Sequence, residues 1–239
     1  MSKYTFPESN TLLKKAYDFA YDCLINTKVD TPDMSDIAKY YRYEHSLRVA
    51  SWGKMLVDDA HKNGMEVDEF VVRMACILHD IGKFEAFLVP NESHGLVGSK
   101  MARPFLKELG IDDKAVEDIC YCIACHSGDY HQYEYNEIIE AHFVEEADDI
   151  DRYGMLRVLA KIGDWKAQSK DMTELVQKID SYIARLKRHL KNMHCVSSKA
   201  SKILNKQIRL QINAFAGYKK QMLATVNAEG KNVKGKCCD

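Results

Sequence analysis

Apolar residues recur along this chain at the three-and-four spacing of a helix face, with no stretch alternating as a half-buried strand would. Leu13, Ala16, Tyr17, Ala20 and Leu24 predict a first helix over about 11–26, with Ser9 or Asn10 as its cap. Pro32 breaks the chain before a long second helix, from Ser35 or Tyr41 to His61, which ends at Asn63-Gly64. His45, Arg48, Val49, Trp52 and Leu56 share one stripe of it. A third, mostly apolar helix spans Asp68 to about Asp80. After a less regular connection over 84–93, His94 opens a helix to Leu109-Gly110. Asp112 or Asp113 caps another through His126, lined inside by Val116, Ile119, Cys120 and Ile123. Further helices run from about Asn136 to Arg152 and from Met155 to about Ala167. From Thr173, one stripe of Leu175, Ile179, Tyr182, Leu186, Leu190 and Met193 precedes a second of Leu204, Ile208, Phe215, Tyr218 and Met222. With Ser197-Ser198 near the turn, these two read as an antiparallel hairpin. The expected fold class is all-α, and the tail 227–239 reads as disordered.

Composition supports this picture and adds an asymmetry. In 239 residues, 46% apolar and 29% charged, there are only 4 prolines and 12 glycines, which suits long uninterrupted helices. No apolar run approaches the roughly eighteen residues of a membrane span, and the first residues lack the apolar core of a secretory signal. The expected location is therefore the cytoplasm, with the eight cysteines as free thiols. Residues 1–160 carry 17 Lys/Arg against 29 Asp/Glu, whereas residues 161–239 carry 17 against 6. A main domain over 1–165, including the first helix, would thus be acidic, and a hairpin over 166–226, packed on it or extending it, would be basic. No base-reading motif accompanies that charge, and Arg185, Lys187, Arg188 and Lys191 alternate with core positions. Homodimerisation, or a cover docked on the acidic half, is the expected use of the hairpin, and nucleic acid is not an expected partner.

The chemistry centres on His79-Asp80-Ile81-Gly82-Lys83. Adjacent side chains inside a helix point about 100° apart, but at a helix end ahead of a glycine the backbone can turn so that both face one point. Histidine with aspartate then suits a divalent metal of borderline hardness, and Lys83 would set a fixed charge beside a phosphate oxygen. An isolated His-Asp pair is as readily a hydrogen-bonded cap, so the company it keeps decides. His45, His94, His126 and Asp148 are further potential ligands. Asp148 and Asp151, three apart, share one side of their helix, with Asp149 turned elsewhere. Arg48, one turn after His45, is placed to orient a carboxylate or to form a structural ion pair. Cys122-Ile123-Ala124-Cys125-His126 spells a c-type haem attachment motif, but no export signal accompanies it and the motif lies within an apolar helix stripe. Zinc binding by Cys120, Cys122 and Cys125 would need a second cysteine pair that the spacing does not supply.

His45-Ser46-Leu47-Arg48-Val49, His79-Asp80 and Ala147-Asp148-Asp149-Ile150-Asp151, in this order over about 41–154, resemble the HD-domain superfamily, and the phrasing is most similar to small bacterial HD-domain hydrolases, some of them nucleotide pyrophosphohydrolases. The resemblance implies a helical bundle with a metal held by His45, His79, Asp80 and Asp148, backed by Arg48 and Asp151. It implies one or two ions. Manganese, iron, cobalt or nickel suit the mixed donors, with magnesium and zinc less favoured. His94 and His126 would complete a second metal site or bind substrate. The activity implied is hydrolysis of a phosphoester or phosphoanhydride in a small phosphorylated substrate such as a nucleotide, by metal-activated water, with Asp80 and Lys83 as catalytic residues. Two other readings share the ligands: a di-iron oxygenase using the same six residues, and a non-enzymatic regulatory or binding module. The Gly-Tyr-Pro element of cyclic dinucleotide phosphodiesterases is absent, since His126 is followed by Ser127-Gly128-Asp129-Tyr130.

Overall fold

A computed structural model describes residues 9–29, 35–128 and 133–228. Every regular element among them is helical: α1 (Ser9–Leu24), α2 (Asp36–Lys62), α3 (Glu69–Leu78), α4 (His94–Glu108), α5 (Asp113–Cys125), α6 (Ile139–Arg152), α7 (Leu156–Gln168), α8 (Met172–Asn192) and α9 (Ser198–Ala228). A short 3₁₀ helix, Glu85–Leu88, occupies the connection between α3 and α4. The expected all-α class is the observed one. Ser9 and Asn10 are already helical, so neither is the cap of α1. The break at Pro32, the rim residues Asp129, Tyr130 and His131, and 229–239 of the tail lie outside the described residues, while residues 227 and 228 belong to α9.

The helices begin where the side chains can satisfy the orphan N–H groups of a first turn. Ser35 accepts from Ala38 ahead of α2, Asp68 from Val71 ahead of α3, Ser93 from Leu96 ahead of α4, and Asp112 from Lys114 and Ala115 ahead of α5. Two of these caps matter for the chemistry. Ser93 fixes where α4 starts, so His94 is its first residue, and Asp68 starts a helix short enough that His79 falls just past its end.

Two compact units divide the chain, residues 1–151 with 195–200 and residues 152–194 with 201–239. The division at Asp151 lies ahead of the boundary expected near 165, so α7 belongs with α8 and α9. In the first unit, α3 is the central rod. Eight of its ten residues are buried, and it touches α1, α2 and α5. Burying Val71, Val72, Met74, Ile77 and Leu78 together contributes roughly 1.5–3 kcal/mol per side chain before chain entropy is counted. In the second unit, α8 and α9 meet as an antiparallel pair, with Tyr182 against Phe215 (5.1 Å between ring centroids) and Lys219 bound to Asp180 at 2.6 Å.

Gly82 does something other than end a helix. Its φ is not positive, and α3 has already stopped at Leu78. A methyl group on Gly82 would instead lie 2.3 Å from the nitrogen of Gly98 and 2.5 Å from the carbonyl oxygen of His94. Gly95 is in the same position towards α5, with Ala124 O at 2.6 Å and Ile123 O at 2.9 Å from its missing Cβ. These two close approaches bring the end of α3, the start of α4 and the end of α5 together.

Candidate metal centre

Five helix segments deliver six side chains to one buried point. His45 comes from the middle of α2, His79 and Asp80 from just beyond α3, His94 from the start of α4, His126 from the residue after α5, and Asp148 from α6. His45, His79, Asp80, His126 and Asp148 are all buried, and His94 is about one quarter exposed at 24%. Every potential ligand read from the sequence is therefore in one place.

Asp80 stands at the centre with its two oxygens facing different histidines. Oδ2 lies 3.8 Å from His79 Nε2 and 3.9 Å from His45 Nε2, while Oδ1 lies 3.3 Å from His94 Nε2 and 3.9 Å from His126 Nε2. Asp148 Oδ1 is 3.0 Å from His45 Nε2 and 3.9 Å from His79 Nε2. Across each half the imidazoles are close as well, 3.3 Å between the Nε2 atoms of His45 and His79 and 3.0 Å between those of His94 and His126. Two trios of ligand atoms, His45/His79/Asp80 and Asp80/His94/His126, are each tight enough to enclose a cation.

The far side of each ring decides which nitrogen is available. His79 Nδ1 donates to the carbonyl of Cys76 at 2.8 Å and His126 Nδ1 to that of Ile123 at 2.7 Å. A carbonyl can only accept, so the proton sits on Nδ1 and the Nε2 lone pair points into the cluster. Both contacts reach back three residues, which a histidine at a helix end does by geometry. His45 Nδ1 instead bonds Asp151 Oδ2 at 2.6 Å, and Arg48 holds Asp151 with Nε to Oδ1 at 2.7 Å and Nη2 to Oδ2 at 3.2 Å. Arg48 and Asp151 thus stand behind His45, as a carboxylate commonly does behind a metal-binding imidazole.

Charge is distributed unevenly over these groups. Burial works against a proton on His45, but hydrogen bonds to Asp148 and Asp151, with the charges of Asp148 and Asp80, lift its pKa to about 9. Burial, reinforced by His79 and His94, pushes His126 down to about 3, and burial lowers His79 as well. Asp80 is held well below the usual carboxylate range. Burial opposes its charge, and His79, a hydrogen bond from His94, Arg42 and His45 outweigh that opposition. Buried nitrogen lone pairs converging on carboxylates are the donor chemistry of a borderline divalent cation, so the residues fit such an ion.

Arg42 was not among the residues singled out from the sequence. Its Nη1 donates to Asp80 Oδ2 at 3.1 Å, and its side chain remains one quarter exposed at 26%. It sits three residues before His45 on the same face of α2, so the helical spacing that relates Arg48 to His45 in one direction leads to Arg42 in the other. Lys83 follows Asp80 by one turn, its N–H bonded to the Asp80 carbonyl at 2.9 Å, and it is half-buried. Cys122 and Cys125 of the haem-like motif are fully buried, with their thiols facing the core.

Residues 42–153 match the model of the HD domain. An uncharacterized protein of Methanocaldococcus jannaschii is 37% identical over 71 residues, which are 30% of this chain and 38% of that protein. The chain thus spans less than half the length of that relative. A solved structure from an uncultured Thermotogales bacterium, described as a predicted HD superfamily hydrolase, is 17% identical at a TM-score of 0.47, covering 75% of this chain and 91% of the other. Among the described residues no helix is long and apolar enough to cross a membrane.

Proposed function

Residues 42–153 being an HD domain, we propose that the chain is a metal-dependent phosphohydrolase cleaving a phosphoester or phosphoanhydride of a small phosphorylated substrate, a nucleotide by preference. One observation carries this reading. A single buried carboxylate, Asp80, presents one oxygen to each of two histidine pairs, and in each pair one ring, His79 or His126, turns its Nε2 lone pair inward. His45, His79, Asp80 and Asp148 would hold the first divalent ion, and Asp80, His94 and His126 a second ion or the substrate. The chemistry such an ion supplies when bound is Lewis acidity, which lowers the pKa of a water and polarises a phosphoryl oxygen.

The chain's own groups supply the rest. Arg42, anchored on Asp80 and partly open to solvent, offers a guanidinium fork to a phosphate that approaches the cluster. Lys83 adds a second positive charge on the same turn. Asp80, kept ionised by the neighbouring histidines and Arg42, would orient the attacking water and accept its proton as the bond to phosphorus forms. His94, the most exposed of the four rings in the cluster, stands where it can hand a proton to the leaving oxygen. Burial of His45, His79, Asp80, His126 and Asp148 keeps bulk water away from these charges and so strengthens their interaction.

Phosphate and pyrophosphate release from a panel of nucleotides and simple phosphoesters, with manganese, tests the proposal. Release is expected from the intact chain and is expected to fall by roughly a thousandfold or more in Asp80→Ala, since several kcal/mol of charge stabilisation disappear with that carboxylate. No release from folded, metal-loaded protein, together with oxygen uptake by the iron form, would overturn it in favour of an oxygenase.

A further inference from the structure

A second set of charges lies in the other unit and has no part in the HD chemistry. Lys161 and Trp165 on α7 and Gln177, Lys178, Ser181, Tyr182 and Arg185 on α8 surround an open cavity of about 540 Å³, a size that suits a small metabolite, with Glu174 as the one carboxylate in its lining among the described residues. Lys161 Nζ sits 5.2 Å from the centroid of the Trp165 ring and 4.9 Å from that of Tyr182. The Arg185 guanidinium lies 4.7 Å over the same Tyr182 ring. Two cations therefore share one aromatic floor.

That floor is rigid. Trp165, Tyr182 and Phe215 pack against one another at 5.1–5.5 Å. The Tyr182 hydroxyl donates to Gln211 at 3.2 Å, and the fully buried Gln211 amide donates on to the Gly154 carbonyl at 2.9 Å. The cations it carries are not neutralised. Lys178 is tied to Glu174 at 3.2 Å, but Arg157, Lys161 and Arg185 have no carboxylate partner among the described residues. Burial lowers the pKa of Lys161, and Arg157 and Arg185 lower it further against the opposing charge of Asp164. Like charges gathered over aromatic faces gain some attraction from the rings, which does not remove their mutual repulsion. An anion between them would.

We propose that the cavity bounded by Lys161, Trp165, Tyr182 and Arg185 binds the phosphoryl group of a small phosphorylated ligand, separately from the buried histidine cluster. Arg185 offers a planar fork and Lys161 a point charge, a pairing suited to a tetrahedral phosphate oxygen set. Ser181 lines the same cavity and adds a hydroxyl donor. Trp165 at the rim gives an apolar surface to whatever the phosphate carries.

Calorimetric titration of the full chain with inorganic phosphate and with phenylphosphonate, whose carbon–phosphorus bond resists hydrolysis, tests this. One binding step is expected to persist in Asp80→Asn and to weaken by about tenfold or more in Arg185→Glu, the scale of a lost charge-assisted hydrogen bond. Lys161→Gln is expected to weaken the same step, as a second variant should Arg185→Glu disturb folding. Equal affinities for the two ligands would assign the site to the phosphoryl group alone, and tighter phenylphosphonate would add Trp165; both support the site. A step lost in Asp80→Asn but kept in both cation variants would place the anion in the histidine cluster and overturn the proposal. Displacement by chloride as effective as by phosphate at equal ionic strength would show a counterion atmosphere only, and would also overturn it.

Discussion

The two halves of the histidine cluster share Asp80 yet are built on different electrostatics. On one side, His45 and His79 face Asp80 and Asp148, and His45 is backed by Asp151. On the other, Asp80 is the carboxylate nearest His94 and His126, Asp148 acts on His126 only through its charge, and His126 is backed by a backbone carbonyl. The same residue type consequently behaves in opposite ways, with His45 lifted to about 9 and His126 pressed down to about 3. The first half concentrates negative charge, which attracts and retains a dication. The second offers the neutral lone pair of His126 and one shared carboxylate oxygen, and at His94 it opens to solvent. Under the proposed function, a resident ion would sit in the first half, and a looser ion or the substrate in the second.

Removing one histidine from each half is the strongest way to break that contrast. His79→Gln is expected to abolish tight metal binding and to reduce phosphate release by about a thousandfold. His126→Gln is expected to leave one tightly held ion per chain while still impairing turnover. Metal content measured after gel filtration separates the two. Equal loss in both variants would show that the halves act as one site and would end the comparison.

Gly82 tests the joint between the halves, because it lies where the end of α3 meets the start of α4. Gly82→Ala places a methyl group against backbone atoms of His94 and Gly98, which cannot swing aside as a side chain can. Overpacking of this kind costs about 1–3 kcal/mol, and the shift moves Asp80 relative to His94. Urea unfolding should show the loss in stability, and metal titration should show the second half more affected than the first. An alanine variant with unchanged stability would mean the joint is softer than its close contacts imply.

Asp151→Asn sharpens the difference from behind. An amide can orient His45 but adds no negative charge to it, and Arg48 loses its ion pair. Metal affinity is expected to fall by roughly 10–100-fold, with His126-side binding unchanged. Arg48→Lys keeps the charge but loses the bidentate fork, so it should fall between the natural chain and Asp151→Asn. An affinity untouched by either change would remove the carboxylate from any part in holding the ion.

How far the sequence disclosed this site depends on the kind of interaction involved. His45, His79, Asp80, His94, His126 and Asp148 were legible because ligand chemistry is confined to few residue types and the helical phase set Asp148 apart from Asp149. The helices were legible because α1 and α8 each bury one stripe at helical spacing, whereas α3 and α5 are buried on almost every side and read as apolar runs between caps. Gly82 was misread as a helix stop, since a glycine that admits a neighbouring backbone leaves the same mark in sequence as one that takes a positive φ. Arg42 was passed over because α2 places its apolar and polar residues on no sharply divided faces. The long-range pairing that binds Arg42 to Asp80, 38 positions away, has no local signal. The connection of α7 with α8 and α9 likewise rests on contacts between helices that no single periodicity records.

Helix α6 supplies a control for the whole contrast, because two of its three buried carboxylates lie in opposite surroundings. Asp148 faces imidazoles, whereas Glu146, two residues earlier, faces the N–H groups of Val196 and Ser197 and no cation among the described residues. Burial, opposed by those two N–H groups and helped by Glu145 and Asp149, lifts Glu146 from 4.5 to about 7. A raised carboxyl pKa means that the folded chain binds a proton more readily than the unfolded one. Its contribution to stability is therefore complete below about 4.5 and is lost as pH rises towards about 7. At 1.36 kcal/mol per pKa unit the loss comes to about 3 kcal/mol at most. Glu146→Gln cannot titrate, so the stability of the natural chain minus that of the variant should decline by one to about three kcal/mol across this window. Metal affinity should not change with it. Urea melts of both proteins at a series of pH values give the difference curve, in which other titrating groups cancel. A flat curve would mean that backbone donors alone suffice to keep a buried carboxylate ionised, and the uneven charge between the two halves of the cluster would then need a cause other than the partners each half supplies.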